Sequence, residues 1–147
     1  MSTISTDLTT AERLDRLETI EAARELLARY ADACDAQDLE GVVSLFAPDC
    51  ALDVPDQTYR GTDEVRGFYR QAWEADPSQK SHFITNVKTR WLGSGRVAVD
   101  CYFLYTAAGD ATSVLGWGEY TDVVSAAAGP ACFERKAITI RRAWEVP

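Results

Sequence analysis

The sequence predicts an α+β fold in which three N-terminal helices cover a curved, mainly antiparallel sheet, in the order ααβαββββ. Three observations support this prediction. Apolar residues recur at helical spacing in most of the first half, they alternate with a period of two after Lys80, and short glycine-containing turns separate the later segments. A curled sheet with helices on one face can enclose a cone-shaped pocket open at one end.

The first helix is predicted by a capping box, in which Thr9 is followed by Glu12 in the pattern T-x-x-E. Its apolar positions then continue at helical spacing to about Ala36, at Leu14, Leu17, Ile20, Ala23, Leu27, Tyr30 and Cys34. The helix should therefore end just before a turn at residues 36–38.

Two shorter helices are expected next. Asp38 is a good N-cap for a helix that carries Leu45 and Phe46 inward, and Thr62 is expected to cap a third helix that ends by Pro77. Between them, residues 50–54 alternate like a strand and residues 55–61 are typical of a turn. Four long strands should follow, at about 81–91, 96–106, 112–125 and 131–144.

Length and charge limit the class of protein. A chain of 147 residues suits one domain, which we expect at 9–147 after a flexible segment at 1–8. The net charge of −8 repels nucleic acid and anionic membranes, and the chain has neither a membrane-length apolar run nor a signal-peptide pattern. We therefore expect a cytoplasmic protein whose partner is a small molecule.

The cysteines and glycines give no sign of a cofactor. Cys34, Cys50, Cys101 and Cys132 are widely spaced, without a C-x-x-C pair, and are interpreted as buried free thiols. The chain also lacks a metal-ligand cluster and a glycine-rich phosphate loop. We expect a protein that uses no metal and no organic cofactor.

The only histidine, His82, lies near the start of the strand-like run SHFITNVKTRW. In a regular strand His82, Ile84 and Asn86 share one face, which would give a pocket an imidazole and an amide around an aliphatic side chain. A lone histidine in a strand is also often an ordinary core or surface residue. The side chains around His82 distinguish a catalytic histidine from an ordinary core or surface residue.

A second group of polar residues, Tyr30, Asp32 and Asp35, lies at the end of the first helix. Tyr30 and Asp35 are five residues apart, so the three side chains cannot all share one helix face. Tyr30 could be a core residue. Asp35 could be solvated, but an acid near a helix C-terminus is disfavoured by the helix dipole and needs a partner, for which an imidazolium is suitable.

Several large side chains could form the wall of a pocket. We expect this wall to be drawn from Phe46, Phe68, Trp73, Tyr102, Leu104, Trp117 and Tyr120, although such a residue, taken singly, is more often core than a ligand contact. So many aromatic residues favour a hydrophobic, cyclic ligand.

The chain resembles the SnoaL-like branch of the nuclear transport factor 2-like superfamily. The resemblance rests on the segments 30–49, GTDEVRGFY at 61–69, SHFITN at 81–86 and GEYTD at 118–122. Members include polyketide cyclases, scytalone dehydratase, bile-acid dehydratase, a dehydrochlorinase and ketosteroid isomerase. The resemblance implies a cone-shaped α+β fold that often forms homodimers.

The resemblance also implies roles for individual residues. In the dehydratases a histidine–aspartate dyad removes a proton, and the matching residues are His82 and Asp35. Tyr30 and Arg141 match a tyrosine and a late arginine of the bile-acid enzyme. Ketosteroid isomerase has its base where this chain has Val54, which argues against that mechanism, while its second aspartate corresponds to Asp122.

Taken together, these features predict a small cofactor-independent lyase, isomerase or cyclase. His82, oriented by Asp35, would remove a proton from a polyketide-like or steroid-like ring compound, and a donor such as Tyr30, Asn86 or Arg141 would hold the resulting oxyanion. The pocket wall would include Trp73, Tyr102, Trp117 and Tyr120. The alternative is a non-catalytic module of the same fold that binds a small molecule or serves a structural role as a dimer.

Overall fold

The computed structural model describes residues 7–147, so the segment predicted to be flexible, 1–8, lies mostly outside the described residues. The elements in chain order are α1 (Thr10–Asp35), α2 (Leu39–Val43), β1 (Phe46–Val54), β2 (Gln57–Arg60), α3 (Gly61–Ala75), β3 (Gln79–Gly93), β4 (Arg96–Ala108), β5 (Ser113–Ser125) and β6 (Cys132–Val146).

The strands form one six-stranded sheet in the order β2-β1-β6-β5-β4-β3. Every neighbouring pair is antiparallel except β1 and β6. Because β2 and β3 are separate edges, the sheet is open, and the helices lie against its concave face. The predicted α+β cone is therefore confirmed, as are its four long C-terminal strands.

Three local predictions were wrong. Residues 55–61 are not only a turn, because residues 57–60 form β2, which returns along β1 after a two-residue connection. The second helix ends at Val43, and Phe46 instead begins β1. Thr62 does not cap α3: the N-cap is Arg60, whose backbone N–H donates to the Glu64 carboxylate at 2.7 Å.

The first helix begins with the predicted capping box, in which Thr9 and Glu12 exchange hydrogen bonds. Its buried positions begin only at Thr19, whereas Leu14 and Leu17 are 54% and 63% exposed. The expected apolar stripe is therefore buried only in the C-terminal two thirds of the helix, where α1 packs against β3 and β4.

The core lies between the concave face of the sheet and the helices, and aromatic rings fill much of it. Tyr30 makes edge contacts with Tyr69, Tyr120 and Phe133. All four cysteines are free thiols, three of them buried and Cys132 half-buried. None of the helices in residues 7–147 is both long and apolar enough to cross a membrane.

Candidate active site

Asp35 and His82 are joined by two hydrogen bonds. Asp35 Oδ1 lies 2.6 Å from His82 Nδ1, and Asp35 Oδ2 accepts the backbone N–H of His82 at 3.0 Å. An ionised carboxylate only accepts hydrogen bonds, so this arrangement places the ring proton on Nδ1 and leaves Nε2 free to accept a proton. The side chains are 14% and 25% exposed for His82 and Asp35, respectively.

The pair is held by the ends of two elements. Asp35 is the last residue of α1, and His82 is the fourth residue of β3. Gln79 joins the two elements by donating from Nε2 to the backbone carbonyl of Asp35 at 3.1 Å. The acidic residue at the negative end of the helix dipole thus has an imidazole as its partner.

His82 faces a cavity of about 290 Å³ between α1, α3 and the concave face of the sheet. This volume is at the lower end of the range usual for small-molecule sites. Most of the lining is aromatic or aliphatic, and it includes Tyr30, Phe68, Tyr69, Trp73, Phe103, Tyr105, Tyr120, Ile138 and Ile140. Asp76 and Lys80 also border the cavity and form an ion pair at 3.1 Å.

Two phenols meet in the wall of this cavity. The hydroxyl oxygens of Tyr30 and Tyr69 are 2.7 Å apart. Burial raises the pKa of both phenols well above the usual value, so both remain protonated at neutral pH. Two hydroxyls have two protons and their mutual hydrogen bond uses one, so the pair retains one further donor.

The cavity thiol has a different character. Cys34 lies on α1 beside Tyr30, and burial raises the pKa of its thiol to about 12. A thiol that stays protonated is a poor nucleophile. Cys34 therefore contributes apolar lining to the cavity.

Glycines on β5 make room for rings on the concave face. A Cβ at Gly116 would lie 2.5 Å from the ring of Tyr105, and one at Gly118 would lie 2.6 Å from the ring of Phe103. Both rings line the cavity, and their centroids lie 6.3 Å (Phe103) and 6.2 Å (Tyr105) from that of the His82 imidazole. The two glycines thus set the position of the rings nearest the histidine.

A charged pair lies behind the aromatic lining. Lys136 and Asp122 are 0% and 1% exposed, and Lys136 Nζ donates to Asp122 Oδ2 at 3.0 Å. The ammonium lies 3.6 Å from the ring centroid of Tyr120 and 4.2 Å from that of Tyr30. Asp122 is not among the cavity-lining residues, so it is not positioned as the oxyanion donor that the resemblance suggested.

Asn86 does not share a face with His82, contrary to the sequence-based expectation. Thr85 pairs with Tyr102 and Lys88 with Asp100, so β3 has one extra residue between them, and Asn86 has a left-handed φ of 54°. This bulge breaks the alternation of the strand. Val87 joins the face of His82, and Asn86 borders a polar groove on the opposite, convex face of the sheet.

Four more residues expected at the pocket lie on the convex face: Tyr102, Leu104, Trp117 and Arg141. Tyr102 packs edge-on against Trp117, and Arg141 donates through Nε to Glu119 at 2.7 Å. Side chains alternate along β4, and those of Cys101 and Phe103 point toward the core. The side chain of Tyr102 therefore points away from the cavity.

Of the predicted site and pocket residues, His82, Tyr30, Phe68, Trp73 and Tyr120 line the cavity. Asp35 holds His82 from behind, and Phe46 is buried in the core without lining the cavity.

Sequence reasoning missed Tyr69, Phe103, Tyr105 and Lys136. Tyr69 is four residues from Trp73 on α3, so the helical period could have found it. The rings of β4 could have been found from the alternation of Val97, Val99 and Cys101, which marks the buried face. A buried lysine in β6 has no comparable signal.

Among residues 7–147 there is no group of three or more His, Cys, Asp or Glu side chains that could hold a metal ion.

The family model for the SnoaL-like domain matches residues 15–130, and the chain belongs to this family. The matched segment includes Asp35, His82 and Tyr30, and it ends before β6.

Solved structures agree on the fold. The chain is similar to a putative scytalone dehydratase from Novosphingobium aromaticivorans, with a TM-score of 0.80 and 18% identity over 90% of this chain and 91% of the other. It is also similar to hexachlorocyclohexane dehydrochlorinase LinA-type3 from Novosphingobium barchaimii, with a TM-score of 0.81 and 18% identity over 91% and 94%.

A third structure, of a protein of unknown function from Mycobacterium tuberculosis, has a TM-score of 0.77 and 22% identity over 87% and 75%. A search of curated proteins finds no match. Identities this low establish the fold alone.

Proposed function

We propose that this protein is a cofactor-independent lyase that removes a proton from a ring compound and expels a leaving group from the neighbouring carbon. The observation that carries the proposal is the contact between Asp35 and His82 beside an aromatic cavity. The carboxylate fixes the imidazole, leaves Nε2 as the base and stabilises the imidazolium that forms. The names of two structurally similar proteins, a dehydratase and a dehydrochlorinase, are consistent with this chemistry.

The proposed reaction begins at a carbon next to a carbonyl group. His82 Nε2 takes the proton, and the electron pair of the C–H bond moves onto the carbonyl oxygen as an enolate. The remaining donor of the Tyr30 and Tyr69 hydroxyl pair would hydrogen-bond that oxygen. The enolate then re-forms the carbonyl and expels a hydroxyl from the β-carbon, which leaves as water with the proton returned from the imidazolium.

Isomerisation needs the same first step. If the proton returned to a different carbon and no group left, the product would be an isomer, and if the enolate attacked a second carbonyl, the product would be a ring. A cavity of about 290 Å³ with mostly apolar lining suits a compact ring compound of the polyketide or steroid type.

The test uses 5-nitrobenzisoxazole, a planar aromatic probe. A base that removes its ring proton opens the ring, because the C–H electrons form a nitrile and the N–O bond breaks to give a coloured phenolate. We expect the wild-type protein to accelerate this elimination and His82→Ala to lose at least about 10²-fold in kcat/KM. Free imidazole should restore part of the loss.

Asn86→Ala is the matched control, since it removes a polar side chain from the same strand on the convex face. It should retain wild-type activity. Equal activity in His82→Ala and the wild-type protein would disprove the proposed base. If nitrobenzene binds but the probe is never converted, the alternative of a non-catalytic binding module gains support.

We also propose that the protein forms a homodimer through the convex face of its sheet. Phe83, Leu104 and Trp144 are exposed on this face, and its Arg141 and Glu119 charges are paired, so two chains of net charge −8 could meet there with little repulsion. Sedimentation should show a dimer that Leu104→Lys dissociates. The control Leu17→Lys, on an exposed turn of α1, should leave it intact.

A further inference from the structure

Lys136 is the least expected charged residue in the described chain. It lies on the concave face of β6 with no solvent exposure, and its Nζ has one hydrogen-bond partner, Asp122 Oδ2. The other oxygen of that carboxylate, Oδ1, is buried without a partner among the described residues. Lysines are almost never fully buried unless they are paired, and this one has a single charged partner.

Stability does not explain this pair. Taking two charges out of water costs several kcal/mol for each ion, and a buried pair is often no more stable than apolar residues of similar volume. The unpartnered oxygen adds to the cost. This pair therefore adds little or nothing to the free energy of folding. Because it lies directly behind the cavity, we look for its explanation in function.

The surroundings of the ammonium suggest what that function is. Three aromatic rings surround Lys136 Nζ, with centroids at 3.6 Å for Tyr120, 4.2 Å for Tyr30 and 4.6 Å for Phe133. Tyr30 and Tyr120 line the cavity, whereas Lys136 and Asp122 do not. The positive group thus lies one ring away from any ligand.

We propose that Lys136 is a positioning residue whose ammonium holds the rings of Tyr30 and Tyr120 and makes this end of the cavity prefer a ligand oxygen that carries negative charge. The inference rests on the function proposed above, because an enolate is the charged species that the lyase reaction would form. It also narrows the ligand class to ring compounds with an acidic enol, phenol or ketone α-carbon.

Three features support this assignment. Attraction between an ammonium and the face of an aromatic ring fixes the ring, and the attraction is stronger away from water. The Tyr30 hydroxyl, at 2.7 Å from that of Tyr69, belongs to a ring held in this way. A positive charge in a dry interior also acts over a longer distance than one in water. The phenol pair would donate to the oxyanion, and Lys136 would act through it.

The test measures binding and needs no turnover. The probes are 4-nitrophenol, whose ionised and neutral forms absorb at different wavelengths, and nitrobenzene, which has the same ring without the ionisable group. Wild-type protein at neutral pH should bind 4-nitrophenol in its ionised form. The double variant Lys136→Met/Asp122→Leu removes both charges, so it leaves neither one buried alone.

We expect the double variant to bind the ionised probe about tenfold more weakly, to bind nitrobenzene within about twofold of wild type, and to shift the absorbance of bound 4-nitrophenol toward its neutral form. Arg96→Met/Glu134→Leu is the control, because it removes a partly exposed ion pair from the same sheet, away from the cavity. It should change neither affinity.

Three results would overturn the inference. They are a wild-type cavity without preference for the ionised probe, an equal loss of affinity for both probes in the double variant, and no loss for either. His82→Ala separates this inference from the proposed lyase function. It should keep the preference for the ionised probe while losing elimination of 5-nitrobenzisoxazole, so either idea can fail without the other.

Discussion

The two faces of the sheet use charged and aromatic residues in opposite ways. On the concave side the charges are few and held by specific partners, partly buried in Asp35 with His82 and fully buried in Asp122 with Lys136. On the convex face the charges are exposed and paired at the surface, as in Arg141 with Glu119. The same residue types therefore have large energetic consequences on one face and small ones on the other.

The largest expected effect comes from breaking a charged pair on each face. Lys136→Met alone should reduce the free energy of unfolding by about 3–5 kcal/mol, because it leaves a buried carboxylate without its cation. Arg141→Met should reduce it by less than about 1 kcal/mol. Urea denaturation of both variants measures the difference, and similar values would show that the two faces do not differ in this way.

The next effect concerns the orientation of the imidazole. Asp35→Asn should lower kcat/KM for 5-nitrobenzisoxazole by about 10²-fold, because the amide no longer fixes the tautomer or stabilises the imidazolium. Asp32→Asn removes the same charge from the same end of α1, where the side chain is exposed and has no hydrogen bond to His82. Equal losses in the two variants would point to a general charge effect.

A smaller effect is expected in the pH dependence of stability. Burial raises the pKa of Asp122 to about 6 from an ordinary value of 3.8. The folded protein therefore binds this proton more tightly than the unfolded chain, so the stabilising contribution is complete below about pH 4 and is lost as the pH rises through 6.

Lys136→Met/Asp122→Leu removes that dependence. Its stability relative to wild type should therefore improve by about 2–3 kcal/mol between acidic and neutral pH. Denaturation at the two pH values measures the change. A relative stability that stays constant or falls would contradict the assignment.

The smallest effect distinguishes the aromatic residues of the two faces. Trp73→Ala should weaken nitrobenzene binding about three- to tenfold, because Trp73 lines the cavity. Trp117→Ala, on the convex face, should change the affinity by less than about twofold. Titration calorimetry measures both affinities. A larger loss of affinity from Trp117→Ala than from Trp73→Ala would indicate that the ligand binds on the convex face.

Much of this architecture could be predicted from local patterns. The capping box at Thr9, the N-cap at Asp38 and the period-two alternation after Lys80 predicted two helix starts and four long strands, because each depends on neighbouring residues. Patterns also drew attention to His82 and Asp35. The wrong predictions concerned features that depend on contacts between residues far apart in the chain.

Those errors share a physical cause. The bulge at Asn86 reverses the alternation of β3. No local sequence pattern predicts this bulge, since asparagine with positive φ also occurs in ordinary turns. Tyr102 and Trp117 were assigned to the pocket because periodicity gives two faces without saying which one the helices cover. Lys136 was missed because a lysine in a strand is normally on the surface.

The sequence by itself determined the order of helices and strands, with a single imidazole near the start of one strand and a carboxylate at the end of the first helix. These features follow from periodicity, capping and turn chemistry, which act over a few residues. Only the tertiary structure decided which sheet face encloses the cavity, that two phenols share a hydrogen bond across it, and that a buried ammonium lies behind them. These depend on side chains far apart in the chain, whose meeting is set by packing and strand register.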